Sequence, residues 1–172
     1  MLTFQTTDIS TLFHTPKQSL TSAYSCIDSR QVIDTLTRQG LSLNSVSLAR
    51  TNKVANRGFQ KHMLIFDTPF QIDSDNILRL LVTNSYNGMT SLQFNAGIFR
   101  AVCANGLVVG DSFFKHRVLH RGDVSNNLSK VYSSLDSAFP EIEQNVVTLS
   151  KQDYTVEQER DYIASAITAR HG

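Results

Sequence analysis

One cysteine and three histidines are the residues of this chain whose chemistry could support catalysis or hold a metal. Cys103 lies in an apolar run that ends at Asn105-Gly106. A nucleophilic cysteine needs thiolate character, a neighbouring base and partial exposure. Cys103 instead follows Phe99 and Ala101 on the apolar positions of a predicted strand. A cysteine in that setting is usually a small buried hydrophobic residue. We therefore interpret Cys103 as structural and predict a protein that is not an enzyme.

The histidines raise the alternative of a metal site. His116 and His120 would share one face of a strand because their spacing is even. Together with His62 and Cys103 they could bind zinc. No CxxC or HExxH spacing supports such a site, and the chain has no Walker-type loop or GxGxxG pattern. We expect no metal and no cofactor, and histidines that are either hydrogen-bonded internally or exposed beside basic neighbours.

Basic residues give a clearer signal for binding. Two tracts, residues 47–66 and 113–122, contain basic side chains and no acid. Arg100 is predicted to lie in the middle of a long strand, so its charge must reach solvent, an acid or a phosphate. The predicted binding residues are Arg50, Lys53, Arg57, Lys61, Arg100, Lys115, Arg117 and Arg121. Such a surface could contact the phosphates of a nucleic acid.

The overall charge gives weaker support for nucleic-acid binding. Residues 1–123 carry 12 basic and 8 acidic residues, whereas residues 124–172 carry 4 and 7, which gives a net charge of +1. The pI of 7.8 is well below that expected of a dedicated nucleic-acid domain. A merely solvated basic face is the simpler alternative. With 2 cysteines in 172 residues and no signal peptide or apolar span visible, we expect a cytoplasmic protein without disulfides.

Hydrophobic periodicity predicts the elements that position these residues. A short helix is expected at 29–39, capped by Asp28 or Ser29 and ended by Gly40. Apolar runs predict strands at 61–67, 76–84 and 91–103 and one or two further strands within 107–120, separated by Thr68-Pro69, Asn87-Gly88 and Asn105-Gly106. A bulge at Gly97 would turn Phe99, Ala101 and Cys103 inward. Residues 1–28 could add one or two short strands.

The last part of the chain has helical periodicity. Leu128, Val131, Tyr132 and Leu135 form one stripe, and Pro140 is predicted to end that helix before a second short helix at 141–150. Thr155 and Gln158 fit a capping box at the start of a third helix, with Val156, Ile163, Ala166 and Ile167 as its stripe.

These elements predict one domain over residues 1–172. Residues 1–123 would be mainly sheet with one early helix, and residues 124–172 would be helical. The class is α+β: an antiparallel meander of about five strands, with helices packed on one face and a helical C-terminal segment.

The middle of the chain resembles a known family. The run LLVTNSYNGMTSLQFNAGIFRAVCANGLVVG and the later HRVLHRGDV are similar to the phage/plasmid-like protein family known as domain of unknown function 932. The matching positions are Asn84, Ser85, Gly88, Thr90, Ser91, Gly97, Phe99, Arg100, Val102, Cys103, Asn105, Gly106, Leu107, His120 and Gly122. Tyr86 and Asn87 stand where the family usually has His and Asp, so any reactive pair at those positions is missing here.

The resemblance implies a phage or plasmid protein acting in the host bacterial cytoplasm, without implying a reaction. We expect a non-enzymatic binding protein whose leading partner is nucleic acid, such as single strands during replication or recombination. The alternative is an anti-defence protein that blocks a host protein, for example an anti-CRISPR or anti-restriction protein. No membrane partner is expected, and an oligomer is possible.

Overall fold

The computed structural model describes residues 4–6, 15–17, 20–71, 77–101, 108–151 and 155–171. Six antiparallel strands form one sheet in chain order. They are β1 (Phe4–Thr6), β2 (Ser42–Ala49), β3 (His62–Gln71), β4 (Ile77–Asn84), β5 (Leu92–Ala101) and β6 (Val108–Val118). The helices are α1 (Ser29–Arg38), α2 (Val124–Ser150) and α3 (Val156–His171). The predicted α+β class and the antiparallel meander are confirmed, with six strands rather than about five.

The main core lies between one face of the sheet and the first two helices. Val32 and Leu36 of α1 and Val131 and Leu135 of α2 are buried there, as their helical spacing predicts. The sheet contributes Val46, Leu48, Leu64, Phe66, Leu78, Leu80, Val82, Leu92, Phe94 and Ala96. Alternate residues of each strand point into this core because side chains alternate across a strand. Helices therefore pack on one face of the sheet, as predicted.

The two ends of helix α1 lie close to the predicted positions. The Asp28 side chain caps its first turn by accepting a hydrogen bond from the Arg30 N–H at 2.9 Å. Gly40 follows the last turn with a φ of 90°, a conformation that glycine adopts without strain. Strand β2 begins directly afterwards. It was not among the predicted strands, although Val46 and Leu48 alternate with serines in the way a half-buried strand requires.

The opposite face of the sheet has a smaller apolar cluster made of Met63, Ile65, Leu81 and Phe99. Phe99 is predicted above to turn into the main core, and that prediction is wrong. Strand β5 pairs with β4 without interruption from Gln93 to Ile98, so Phe99 keeps the alternation of its strand. It is 8% exposed on the face away from α1 and α2. Cys103 lies outside the described residues.

A bulge does occur beside Gly97, but its extra residue lies on the neighbouring strand. Ala96 pairs with Phe114, whereas Gly97 pairs with Ser112. Phe113 therefore has no partner across the β5–β6 ladder. Bulges of this kind are frequent on edge strands, and β6 is the outermost strand among the described residues.

Thr68-Pro69 interrupts strand β3 without ending it. Pairing with β4 is regular to Asp67 and resumes at Gln71. Proline has no N–H to give to the ladder. The Thr68 hydroxyl takes its place by donating to the Leu78 carbonyl at 2.7 Å and accepting from the Phe70 N–H at 3.3 Å. The strand thus continues to Gln71 instead of stopping at residue 67.

Pro140 does not end a helix, because α2 continues through it to Ser150 and absorbs the predicted helix at 141–150. An interior proline costs roughly 3 kcal/mol in a helix. Phe139 and Ile142 on either side of Pro140 are buried in the main core. Pro140 itself is exposed. Burial on both sides of the proline holds the two halves of α2 in one helix and offsets that cost.

Helix α3 begins with the predicted capping box. The Thr155 N–H donates to Gln158 Oε1 at 2.9 Å, and the Gln158 N–H donates to Thr155 Oγ1 at 3.3 Å. Two residues of its predicted apolar stripe are exposed, Val156 by 67% and Ile163 by 56%. Among the helices described, none combines the length and apolarity needed to cross a bilayer.

Candidate functional site

A groove with basic walls lies between the end of β6 and the start of α2. We call it the β6–α2 groove, and its volume is about 730 Å³. It is lined by Ala23, His116, Arg117, Val118, Leu119, Arg121, Gly122, Asn127, Lys130 and Val131. Arg117, Arg121 and Lys130 supply positive charge, and none of the described residues that line the groove is acidic.

Three different elements position the cations of the groove. Arg117 lies on β6 opposite Gln93, and its Nε donates to Ser91 Oγ at 2.7 Å. Arg121 follows the strand, just before the turn at Gly122, whose φ is 72°. Lys130 lies on α2 directly before the buried Val131. The turn at Gly122 therefore sets the positions of Arg117 and Arg121 relative to Lys130.

The cations of the groove have no acidic partner among the residues that the structure describes. The ion pair found there, Arg79 Nε to Asp67 Oδ1 at 2.8 Å, lies in the middle strands of the sheet. Like charges gathered around one concavity create a positive potential that favours an anion. The β6–α2 groove is thus chemically suited to phosphate or carboxylate groups.

The predicted basic residues divide between the two ends of the sheet. We call one end the Asn84 end, because β4 finishes there at Asn84, next to the first residue of β3. The start of β5 and the end of β6 lie at the same end, since Leu92 pairs with Val118. The basic residues on described loops and strands at this end are Arg50, Lys53, Arg57, Lys61, Lys115, Arg117 and Arg121.

These residues do not form one continuous site. Arg50, Lys53 and Arg57 are exposed on the connection between β2 and β3, and Lys61 is half-buried there. Three strand spacings separate β3 from β6, which is about 14 Å. The sequence-predicted set thus contains two separate basic patches at the Asn84 end, and the patch on β6 borders the β6–α2 groove.

Arg100 lies within strand β5, between Phe99 and Ala101 as predicted, and away from the Asn84 end. It is the next-to-last residue of β5 and pairs with Val109. Gln93, which is opposite Arg117, is seven residues earlier on the same strand, or roughly 23 Å away. Arg100 and the β6–α2 groove therefore cannot contact the same phosphate.

Directly behind the Asn84 end lies a buried polar cluster that we call the His62 network, made of Ser29, His62, Asn84, Ser85 and Tyr86. Ser29 Oγ is 2.7 Å from His62 Nε2 and accepts from Asn84 Nδ2 at 3.0 Å. Asn84 Nδ2 also donates to the Ile27 carbonyl at 2.9 Å, and Asn84 Oδ1 accepts from the Ser85 N–H at 2.8 Å. The Tyr86 hydroxyl accepts from the Ser29 N–H at 2.9 Å.

A stacked pair of rings joins this network to the groove. The His120 ring lies 4.8 Å from the Tyr24 ring with an angle of 15° between them. The His120 carbonyl accepts from the Ser25 N–H at 2.8 Å, and Tyr24 donates to the Ser85 carbonyl at 3.1 Å. His120 lies between Leu119 and Arg121, both of which line the groove. The buried contacts of His120 thus hold Leu119 and Arg121 in position at the groove.

Burial keeps the two histidines of this region neutral. Desolvation lowers the pKa of His62 to about 4; the Gln60 carbonyl opposes that shift and the nearby His120 adds to it. Burial likewise lowers the pKa of His120, against the carbonyls of Ser25 and Thr90. Desolvation also raises the pKa of Tyr86. The network therefore holds its hydrogen bonds without net charge at neutral pH.

The serine–histidine contact in this network does not amount to a catalytic dyad. A nucleophilic serine must reach a substrate. Ser29 is 1% exposed and His62 is 0% exposed. Both are held by hydrogen bonds that join α1, β3 and β4. What this arrangement does is fix the loops of the Asn84 end relative to one another.

The remaining histidine and cysteine predictions can be placed only in part. His116 is exposed, whereas His62 and His120 are buried, so the three do not share an environment. No group of three or more His, Cys, Asp or Glu residues among those described is arranged to hold a metal ion. Cys103 falls in the part of the chain that the structure leaves undescribed.

Sequence reasoning missed three residues of these sites. Lys130 is isolated in a helix and belongs to neither acid-free tract; its position before the stripe residue Val131 was the available signal. The sequence indicates Ser29 only as a helix cap. Tyr86 stands where the family usually has His, and its hydroxyl accepts from the Ser29 N–H at the start of α1.

Comparisons with known proteins agree with the resemblance noted above. A family model described as a domain of unknown function (DUF932) matches residues 17–171. Two Escherichia coli (strain K12) proteins, the UPF0380 proteins YafZ and YfjQ, are each 32% identical to this chain over 127 residues. That alignment covers 74% of the chain and 46% of each relative, so the chain spans less than half the length of these curated relatives. No solved structure matches. The chain therefore belongs to the family defined by the domain of unknown function DUF932.

Proposed function

We propose that this chain is a non-enzymatic binding protein of a phage or plasmid and that the β6–α2 groove binds the phosphates of nucleic acid. The observation that carries the proposal is a groove of about 730 Å³ with Arg117, Arg121 and Lys130 in its walls and no acid. Phosphate contacts supply most of the affinity in binding that does not depend on sequence. The groove provides three such contacts within one concavity.

The surroundings of the groove favour a binding role over a catalytic one. The buried groups nearest to it are neutral histidines and tyrosines that hydrogen-bond to other parts of the chain. They stiffen the segment that bears Arg121 and offer no exposed nucleophile. A rigid frame lowers the entropy cost of placing cations around a bound anion. No cofactor is needed for this role.

The test is fluorescence anisotropy with labelled DNA at low and moderate salt. Arg121→Glu and Lys130→Glu should each weaken binding, and each lost contact should reduce the slope of log affinity against log salt by about 1. Lys151→Glu is the matched control. It is an exposed lysine that follows the last residue of α2, roughly 32 Å along the helix from Lys130. Arg100→Ala is a second control, since Arg100 lies at the other end of the sheet.

Two results would overturn the proposal. One is the absence of binding to any DNA or RNA at low salt. The other is binding that Arg121→Glu and Lys151→Glu weaken equally, because that would reflect net charge and not the groove. Circular dichroism melting of each variant shows whether the fold is intact.

A second function is supported by a different observation. Met89 is 80% exposed on the connection between β4 and β5, and Val54 is 71% exposed on the connection between β2 and β3. Both connections are at the Asn84 end, where these two apolar side chains would be available to a protein partner. We propose as the alternative that this end binds and blocks a host defence protein. Tight binding to such a protein that is insensitive to salt, and lost in Met89→Ser, would favour this alternative.

A further inference from the structure

The outermost strand presents an aromatic ring to solvent. Phe113 is the unpaired residue of the β5–β6 bulge, and it is 52% exposed. The other phenylalanines of the sheet whose side chains the structure describes are less exposed. Phe66 and Phe94 are fully buried in the main core, and Phe99 is 8% exposed. Edge strands often contain bulges that prevent pairing with another sheet, but such a bulge does not require an aromatic residue.

Two cationic residues follow Phe113 on the same strand. Lys115 and Arg117 follow at two-residue steps, and both are exposed. They lie opposite Asn95 and Gln93 of β5. A shallow cavity of about 180 Å³ is lined by Gln93, Asn95, Lys115, His116 and Arg117, again without an acid. Arg117 and His116 also line the β6–α2 groove, so the two concavities share two lining residues on β6.

We infer that Phe113, Lys115 and Arg117 form a single-strand subsite that extends the β6–α2 groove. Phe113 stacks on one unpaired base, while Lys115 and Arg117 contact the phosphates beside it. Residues two apart on a strand are about 6.7 Å apart. Lys115 and Arg117 are therefore spaced so that they can contact successive phosphates of one nucleic-acid chain.

Stacking selects for a single strand. A base inside a duplex is covered on both faces by its neighbours, so an aromatic side chain cannot stack on it without unstacking the helix. Aromatic rings beside a basic groove are the usual means by which proteins bind single strands without reading the sequence. The side-chain amides of Gln93 and Asn95 can donate to or accept from the edge of a base. This inference rests on the proposed function and specifies the ligand of the same groove.

The absence of tryptophan from this chain allows a direct test. Phe113→Trp introduces a single indole at the subsite, and titration with oligodeoxythymidine should quench its fluorescence as the base stacks. The matched control is Val156→Trp, which places an indole at an exposed position of α3. Its emission should change little. Equal quenching of both indoles would overturn the inference.

A second variant measures what the stack contributes to affinity. Stacking on an aromatic side chain contributes roughly 1–3 kcal/mol per base. Phe113→Ala should therefore weaken binding to a single strand by about 5- to 150-fold and leave duplex binding nearly unchanged. Since Phe113 is half-exposed, the variant should keep the melting temperature of the parent protein, which circular dichroism checks.

The outcomes separate the inference from the proposed function. If Phe113→Ala binds single strands as the parent does while Arg121→Glu does not, the subsite is wrong and the groove still binds nucleic acid. If the parent protein binds neither single strands nor duplexes at low salt, the proposed function fails and the subsite fails with it. If Phe113→Ala weakens single strands and duplexes alike, the selection for single strands is wrong.

Discussion

The His62 network and the β6–α2 groove are neighbours at the same end of the sheet, yet they are built on opposite principles. In the network, polar side chains are buried, neutral and hydrogen-bonded to other elements. In the groove, basic side chains reach solvent and have no acidic partner among the described residues. His120, whose ring stacks on Tyr24 beside the network, directly precedes Arg121 of the groove.

Residue type alone therefore does not assign a role in this protein. His62 and His116 are both histidines in acid-free tracts. One is completely buried and neutral at neutral pH; the other is exposed in the wall of the groove. The network should therefore govern stability, and the groove should govern binding. Variants of each region can show whether the two properties separate in this way.

The largest effect is expected in the network, from Asn84→Ala. The substitution removes the amide that binds Ile27, Ser29 and Ser85, and it leaves buried polar groups without partners. Such a loss should lower the free energy of unfolding by about 3 kcal/mol. Urea denaturation measures it, with Gln31→Ala on the exposed face of α1 as the control. A loss as small as that of the control would show that the network does not hold the fold.

The second effect is a dependence of stability on pH. The unfolded chain takes up a proton on His62 near the usual pKa of 6.5, whereas the folded chain does so only near pH 4. Between these values the unfolded state binds more protons, so the folded state is fully stabilised above pH 6.5 and loses that stabilisation as the pH falls toward 4. From pH 7 to pH 5 the loss should be roughly 2 kcal/mol.

Two variants check the origin of that pH dependence. His62→Gln should have a flatter profile, because no ring is left to protonate at this position. His116→Ala should keep the profile of the parent protein, since His116 is exposed. Denaturation in urea at pH 7, 6 and 5 measures all three proteins. A profile that His116→Ala changes more than His62→Gln would contradict the assignment.

A smaller effect is expected at Gly122, where the network and the groove meet. Its φ of 72° is strained for any residue with a Cβ, while no atom lies within 4 Å of where that Cβ would be. Gly122→Ala should therefore cost about 1 kcal/mol of stability through backbone strain alone. Gly40→Ala is a matched control, since Gly40 has a φ of 90° and equally open surroundings at the end of α1. Both variants should lose similar stability, but only Gly122→Ala should weaken DNA binding in anisotropy.

The smallest effect on stability is expected in the groove itself. Arg121 is exposed, and Arg121→Glu should change the free energy of unfolding by no more than about 0.5 kcal/mol. The same variant should bind DNA less tightly than the parent. Urea denaturation and anisotropy on one preparation give both values. A large loss of stability without a loss of binding would reverse the roles assigned to the two regions.

Local patterns in the sequence were enough to place most elements. The cap at Asp28, the glycine at 40 and the stripe in the first part of α2 depend on neighbours within a few residues. Errors came where distant residues override a local signal. Pro140 continues a helix because Phe139 and Ile142 are held by the core. Thr68-Pro69 continues a strand because the Thr68 hydroxyl bonds to Leu78 on the next strand.

The candidate site was predictable only in outline. The acid-free tract at 113–122 indicated Arg117 and Arg121, which do line the groove. Lys130 could not be added, because only the packing of α2 against β6 brings it to the same concavity. Arg100 had the same charge and a convincing motif around it, but strand pairing places it at the other end of the sheet.

The family, the α+β class and the inward faces of α1 and α2 could be predicted from the sequence alone, because motifs, alternation and helical spacing involve residues that are close together in the chain. The sequence did not show which basic residues share a groove, which histidines are buried or that Phe113 is exposed. Burial and proximity depend on strand register and helix packing, which are known only from the tertiary structure. These join residues far apart in the chain, such as Ser29 to Tyr86 and Arg117 to Ser91.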